Sequence, residues 1–137
     1  EKFFIPFLVS GLVFFSSFVA PNTFKSLNKK NSRLFIRSIF PKIYSYSGIM
    51  SFIIFLLLLI IDSFLSSIFL IITLGYVFSG KFLMKKINYA ADMKKDKTFK
   101  KLHSFSVIIF LSQLLLMIGV YLLIQAWLIF SSNSTVT

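Results

Sequence analysis

Three side chains have the types and spacing to make a chemical centre: Asn88, Asp92 and His103. Asn88 and Asp92 are four residues apart, so on a helix they share one face. His103 opens a later apolar segment and could fold back beside them. A carboxamide, a carboxylate and an imidazole at the mouth of a membrane span could serve as a proton relay, a cation site or a headgroup clamp. Ionisable groups at membrane depth point to function. This cluster, however, is expected near the interface, where burial is slight. The preferred reading is therefore structural: Asn88 and Asp92 cap a connection and tie it to His103.

Other chemistries find less to work with. The chain has one His and no Cys, so thiolate sites, thioether-linked haem and, within one chain, bis-His ligation or a zinc ligand set are excluded. No metal or cofactor is expected. The serines lie mostly in apolar stretches at small-residue positions, and none sits in a Gly-x-Ser-x-Gly setting, so no catalytic residue is assigned. Gln113 and Gln125 suit hydrogen bonds between helices.

Charge carries a stronger signal. Fifteen Lys and Arg against four Asp and Glu give a net charge of +11. In a soluble domain that would suggest nucleic acid. Here the cations lie between apolar segments, where membrane proteins carry their orientation signal, so no nucleic acid is expected. Residues 22–42 hold Lys25, Lys29, Lys30, Arg33, Arg37 and Lys42 and no acid. Arg33 and Arg37 share a helical face, with Leu34, Phe35 and Ile39 largely turned away. That pattern predicts a short helix in the membrane interface, N-capped by Ser32. Lys29, Lys30, Arg33 and Arg37, with Lys94 and Lys95 from the second basic stretch, are the expected contacts to anionic headgroups or an acidic partner. Asp96 and Lys100 form a favourable i,i+4 pair in that stretch.

These residues need elements to hold them. The 137 residues are 57% apolar and only 14% charged, against about 25% charged in a soluble domain. A soluble globule is excluded, and 19 Phe are too many for a disordered chain. About 30 Å of hydrocarbon at roughly 1.5 Å per residue leaves room for four spans. The expected fold is all-α: an integral membrane four-helix bundle with short interfacial helices in its basic connections. It forms a single domain over residues 1–137, with spans near 3–20, 44–61, 64–80 and 104–130 and basic connections at 21–43 and 81–103. The first segment is read as a retained helix rather than a cleaved signal. Pro21 is expected to stop it, and Pro41 to open the second span. Gly11, Ser47, Gly48, Ser51, Gly75 and Ser79 supply small-residue faces for helix packing.

Fourteen of the fifteen cations fall in the two basic connections. The positive-inside rule then puts both connections in the cytoplasm and both ends of the sequence, with Asp62, on the opposite side. The expected location is a bacterial inner membrane.

Several runs resemble one family. Phe18-Val19-Ala20-Pro21, Phe24, Leu27, Ile39-Phe40-Pro41 and Tyr44 look like its first half. Ile87-Asn88, Asp92, Phe99, Leu102-His103, Ser106 and Gln113 look like its second. The family is the one named after transmembrane protein 205, and the resemblance covers nearly the whole chain. It implies a four-helix membrane domain and no established reaction. The expected function is accordingly a non-catalytic membrane protein, an accessory or structural subunit. It would pack against a larger complex, or self-associate, and hold anionic lipid. The alternative is an oligomeric small-solute exporter or channel. An enzyme acting on a membrane-soluble porphyrin or quinone is the third option.

Overall fold

The computed structural model describes residues 3–134 and is a four-helix bundle. Helix α1 runs Phe4–Ser26, α2 Lys29–Leu59, α3 Ser63–Asp92 and α4 Asp96–Ser134. The expected domain limits at residues 1 and 137 lie outside the described residues. All four helices are long and apolar enough to cross a membrane, and the chain is an integral membrane protein. Around the bundle the principal contacts run α2 to α3, α3 to α4, α4 to α1 and α1 to α2. Each helix thus packs on two neighbours, and α2 with α3 forms the most extensively packed hairpin.

The core is a thin seam. Ile5, Leu8 and Leu12 of α1, Ile54 and Leu58 of α2, Phe69, Ile72 and Tyr76 of α3, and Met117, Val120 and Ile124 of α4 are buried at three- and four-residue intervals. That spacing keeps one stripe of each helix turned inward. Most other apolar side chains are exposed, Phe7, Phe14, Leu74 and Leu122 among them. Lipid tails solvate such faces, so they need no protein cover.

The turns at Asp62 and Asn28 are short and capped by side chains. Asp62 caps α3, its Oδ1 accepting from the amides of Phe64 at 2.8 Å and Leu65 at 3.0 Å. Asn28, not Ser32, caps α2, accepting from the Asn31 amide at 2.9 Å. Ser32 lies inside the helix and is buried, and its hydroxyl is 3.1 Å from both the Thr23 and Leu27 carbonyl oxygens. It therefore holds the α1–α2 turn closed.

Pro21 and Pro41 behave differently from expectation. Pro21 does not end α1: the helix passes through a π-turn at Phe15–Val19 and continues to Ser26. Proline removes a donor and crowds the carbonyl four residues back, and the widened turn just before it loosens the ladder there. Pro41 does not open α2 but lies within it. The basic stretch before Pro41 is thus the membrane-distal part of one 31-residue helix, not a separate interfacial helix. Likewise α3 passes through a π-turn at Ser79–Leu83 and runs to Asp92, and α4 already starts at Asp96. About 20 residues span the hydrocarbon, so α2, α3 and α4 all project beyond it, each with lysines or arginines in its basic end.

Candidate functional site

The site begins with a local conflict. Helix α2 starts on Lys29 and Lys30, with Arg33 one turn later and no acid in the first turn. A helix N-terminus carries roughly half a positive charge and unpaired amides, so cations there repel it. In α4, by contrast, Asp96 occupies the first turn. The start of α2 is left with an uncompensated positive field.

The opposite conflict sits beside it. The last turn of α3 has no basic residue, although its C-terminus carries partial negative charge. Arg37, two turns into α2, supplies the cation. Its Nη2 donates to Asp92 Oδ1 and, over 3.2 Å, to the Asn88 carbonyl oxygen. It thus adds a donor to a carbonyl in the last two turns of the helix and pairs with the terminal carboxylate.

Lys29, Lys30, Arg33, Leu34, Arg37 and Asp92 together line an open hollow of about 400 Å³. Four cations face one carboxylate, so the hollow keeps a net positive charge after the Arg37–Asp92 pair is counted. Its arginines can donate in bidentate fashion to a phosphate, and its lysines add point charges.

The expected triad does not form. Asn88 and Asp92 meet Arg37, while His103 is exposed and stacks face to face on Phe99 with ring centroids 5.8 Å apart. Lys94 and Lys95 do not line the hollow. Lys94 has φ 52° and forms the turn after α3, and the Lys95 Nζ lies 5.6 Å from the centroid of the Tyr89 ring. Sequence reasoning missed Arg37 as the partner of Asp92, because nothing in a separation of 55 residues marks the pair.

The small-residue positions divide as well. Ser47, Gly48, Ser51 and Ser79 are buried. Ser51 Oγ lies 3.0 Å from Thr73 Oγ1, joining α2 to α3. A Cβ on Gly75 would overlap the Gln113 side chain, whose Nε2 donates 2.9 Å to the Ile72 carbonyl oxygen and joins α4 to α3. Gly11 differs from these: it is exposed, and a Cβ there would meet nothing within 4 Å. Among the described residues, nothing packs on Gly11 within 4 Å of that position.

Three buried polar atoms, Ser47 Oγ, Tyr76 Oη and Gln113 Oε1, find no hydrogen-bond partner among the described residues. Among the described residues no three His, Cys, Asp or Glu side chains gather as a metal site.

The fold and the hollow define a class: an integral membrane four-helix protein with a cationic recess at one end. No family model, no curated protein and no solved structure matches this chain. The likeness to the transmembrane protein 205 family therefore rests on the residues quoted for it.

Proposed function

We propose that this protein is a non-catalytic membrane subunit whose basic end binds anionic lipid headgroups. The observation that carries the reading is the convergence of Lys29, Lys30, Arg33 and Arg37 on one hollow at the start of α2, whose first turn holds no acidic residue. A phosphodiester supplies the missing negative charge and accepts from several donors at once. Each basic residue near an anionic membrane surface adds about 1 kcal/mol of attraction. The fourteen cations in the two basic stretches favour a cytoplasmic orientation for that end, in a bacterial inner membrane. Packing against a larger membrane complex, or against a second copy, uses the lipid-exposed faces. The exposed stripe around Gly11 is the one best suited to close helix contact. The resemblance to the transmembrane protein 205 family supports the same four-helix placement.

Purification in a gentle detergent from a mixed membrane, with quantification of bound lipid, tests the reading. Phosphatidylglycerol should be enriched over phosphatidylethanolamine relative to the membrane, and Arg33→Gln/Arg37→Gln should abolish the enrichment. Bound lipid that mirrors the membrane composition in both proteins would refute it. Co-purifying proteins identified by mass spectrometry test the subunit assignment. A single homogeneous species containing this chain alone would count against a larger complex.

A further inference from the structure

The headgroup hollow continues into the membrane. On α2, Arg33, Arg37, Pro41, Tyr44, Gly48 and Phe52 recur at intervals of four, four, three, four and four, so they form one helical stripe. The first two line the hollow. The last four line a second recess, an open groove of about 510 Å³ between α2 and α3. The facing wall comes from α3 and includes Thr73, Tyr76, Val77 and Gly80, with Lys81 at its basic end. Arg37 and Pro41 are one helical turn apart, about 6 Å. The cationic hollow and the apolar groove are therefore neighbours along a single path.

Backbone irregularities mark the junction on both walls. Pro41 interrupts the ladder of α2, and the π-turn Ser79–Leu83 interrupts α3. Such π-turns recur at functional positions in helices. Tyr44 fills the floor between them, its Cβ only 3.1 Å from where a Gly80 Cβ would stand.

We infer that the groove holds one acyl chain of an anionic phospholipid whose phosphate lies in the hollow. This rests on the headgroup reading above and adds the tail. The length fits. From Arg37 to Phe52 is 15 residues, about 22 Å of helix. One leaflet from headgroup to midplane is half of roughly 40–45 Å. The volume falls within the range of small-molecule sites, about 300–1,000 Å³. The chemistry fits as well. Pro41, Ile49, Phe52 and Val77 offer apolar surface, while the Thr73 hydroxyl is engaged by Ser51 and by the Phe69 carbonyl. An acyl chain requires no hydrogen bond there. Charge complementarity selects a lipid over a partner helix, because Arg33 and Arg37 at one end of the groove and Lys81 beside it recognise a phosphate joined to the chain.

Native mass spectrometry of the full chain in one detergent tests this with two probes of identical headgroup, dioleoyl and dihexanoyl phosphatidylglycerol. Ser45→Trp and Val77→Trp each fill the groove from an exposed position, so neither displaces a packed neighbour. The native protein should bind the long-chain probe on the order of tenfold more tightly than the short one. Both Trp variants should lose that preference and still bind the short-chain probe. Arg33→Gln/Arg37→Gln should weaken both probes. A chain-length preference that survives both Trp variants, or that is missing from the native protein, overturns the groove assignment while leaving the headgroup reading standing. Native protein that binds neither probe overturns both. A photo-crosslinker at Ile49 that captures a protein in place of phospholipid also overturns the assignment.

Discussion

The guanidinium of Arg37 is paired with the carboxylate of Asp92 and hydrogen-bonded to the Asn88 carbonyl oxygen, so the start of α2 is tied to the end of α3. Both side chains are partly exposed, at 34% and 57%. Exposed ion pairs contribute about 0–1 kcal/mol, so the pair is a weak brace. Its larger effect is on charge. Asp92→Asn removes the one carboxylate lining the hollow, and Arg37→Gln removes a cation. The two substitutions should lower the unfolding midpoint slightly and similarly. They should act oppositely on phosphatidylglycerol retention, which Asp92→Asn raises and Arg37→Gln lowers. Lipid quantification after purification measures this, and equal losses from both variants would contradict it.

Lys94 stands where helices favour glycine. Its amide bonds the Ala91 carbonyl and the Lys95 amide bonds the Ala90 carbonyl, at 3.2 and 2.9 Å. With φ 52° at Lys94, this is a Schellman turn. A side chain in that conformation costs about 1 kcal/mol that glycine avoids. Lys94→Gly should therefore raise the thermal unfolding midpoint in detergent. Since Lys94 does not line the hollow, lipid enrichment should fall less than in Arg33→Gln/Arg37→Gln.

Two glycines that look alike in sequence should respond differently. Gly75→Ala drives a methyl into the Gln113 side chain, and overpacking of this kind costs about 1–3 kcal/mol. Shortening the partner should relieve it, so Gly75→Ala should cost far less in a Gln113→Ala background. A double-mutant cycle on unfolding free energy reads the coupling. Additive effects would show that the two side chains do not meet.

Gly11→Ala meets open space within the chain. In a helix interior the substitution should stabilise by about 0.5–1 kcal/mol in the isolated protein. A loss of co-purifying protein from the same variant would place the Gly11 face in an interface with another chain.

The hairpin fixes sidedness. Cysteines introduced by Lys30→Cys and Asp96→Cys should label from one side of a sealed vesicle, and Ile61→Cys from the other. Labelling of 30 and 96 from opposite sides would break the four-span arrangement.

The sequence by itself determined the membrane class, the number of spans, the tight turn at Asp62 and the clustering of cations at one end. Those follow from composition and from runs of apolar residues set against the thickness of a bilayer, which are properties of order along the chain. Helix ends were less legible. Pro21 and Pro41 read as boundaries because proline removes a donor. The structure carries both inside helices, with a π-turn just ahead of Pro21. Ser32 read as the cap on residue type, and only its burial against the Thr23 and Leu27 carbonyls, with Asn28 accepting from the Asn31 amide, moves the helix start to Lys29.

Tertiary structure alone decided who meets whom. Asp92 took Arg37 rather than His103, Gly75 received Gln113, and Gly11 received nothing. Helical spacing states which residues share a face, yet it leaves open which neighbour that face is turned toward. That choice is made by how four cylinders rotate and slide to bury one thin seam of side chains, a property of the whole bundle that no single segment encodes.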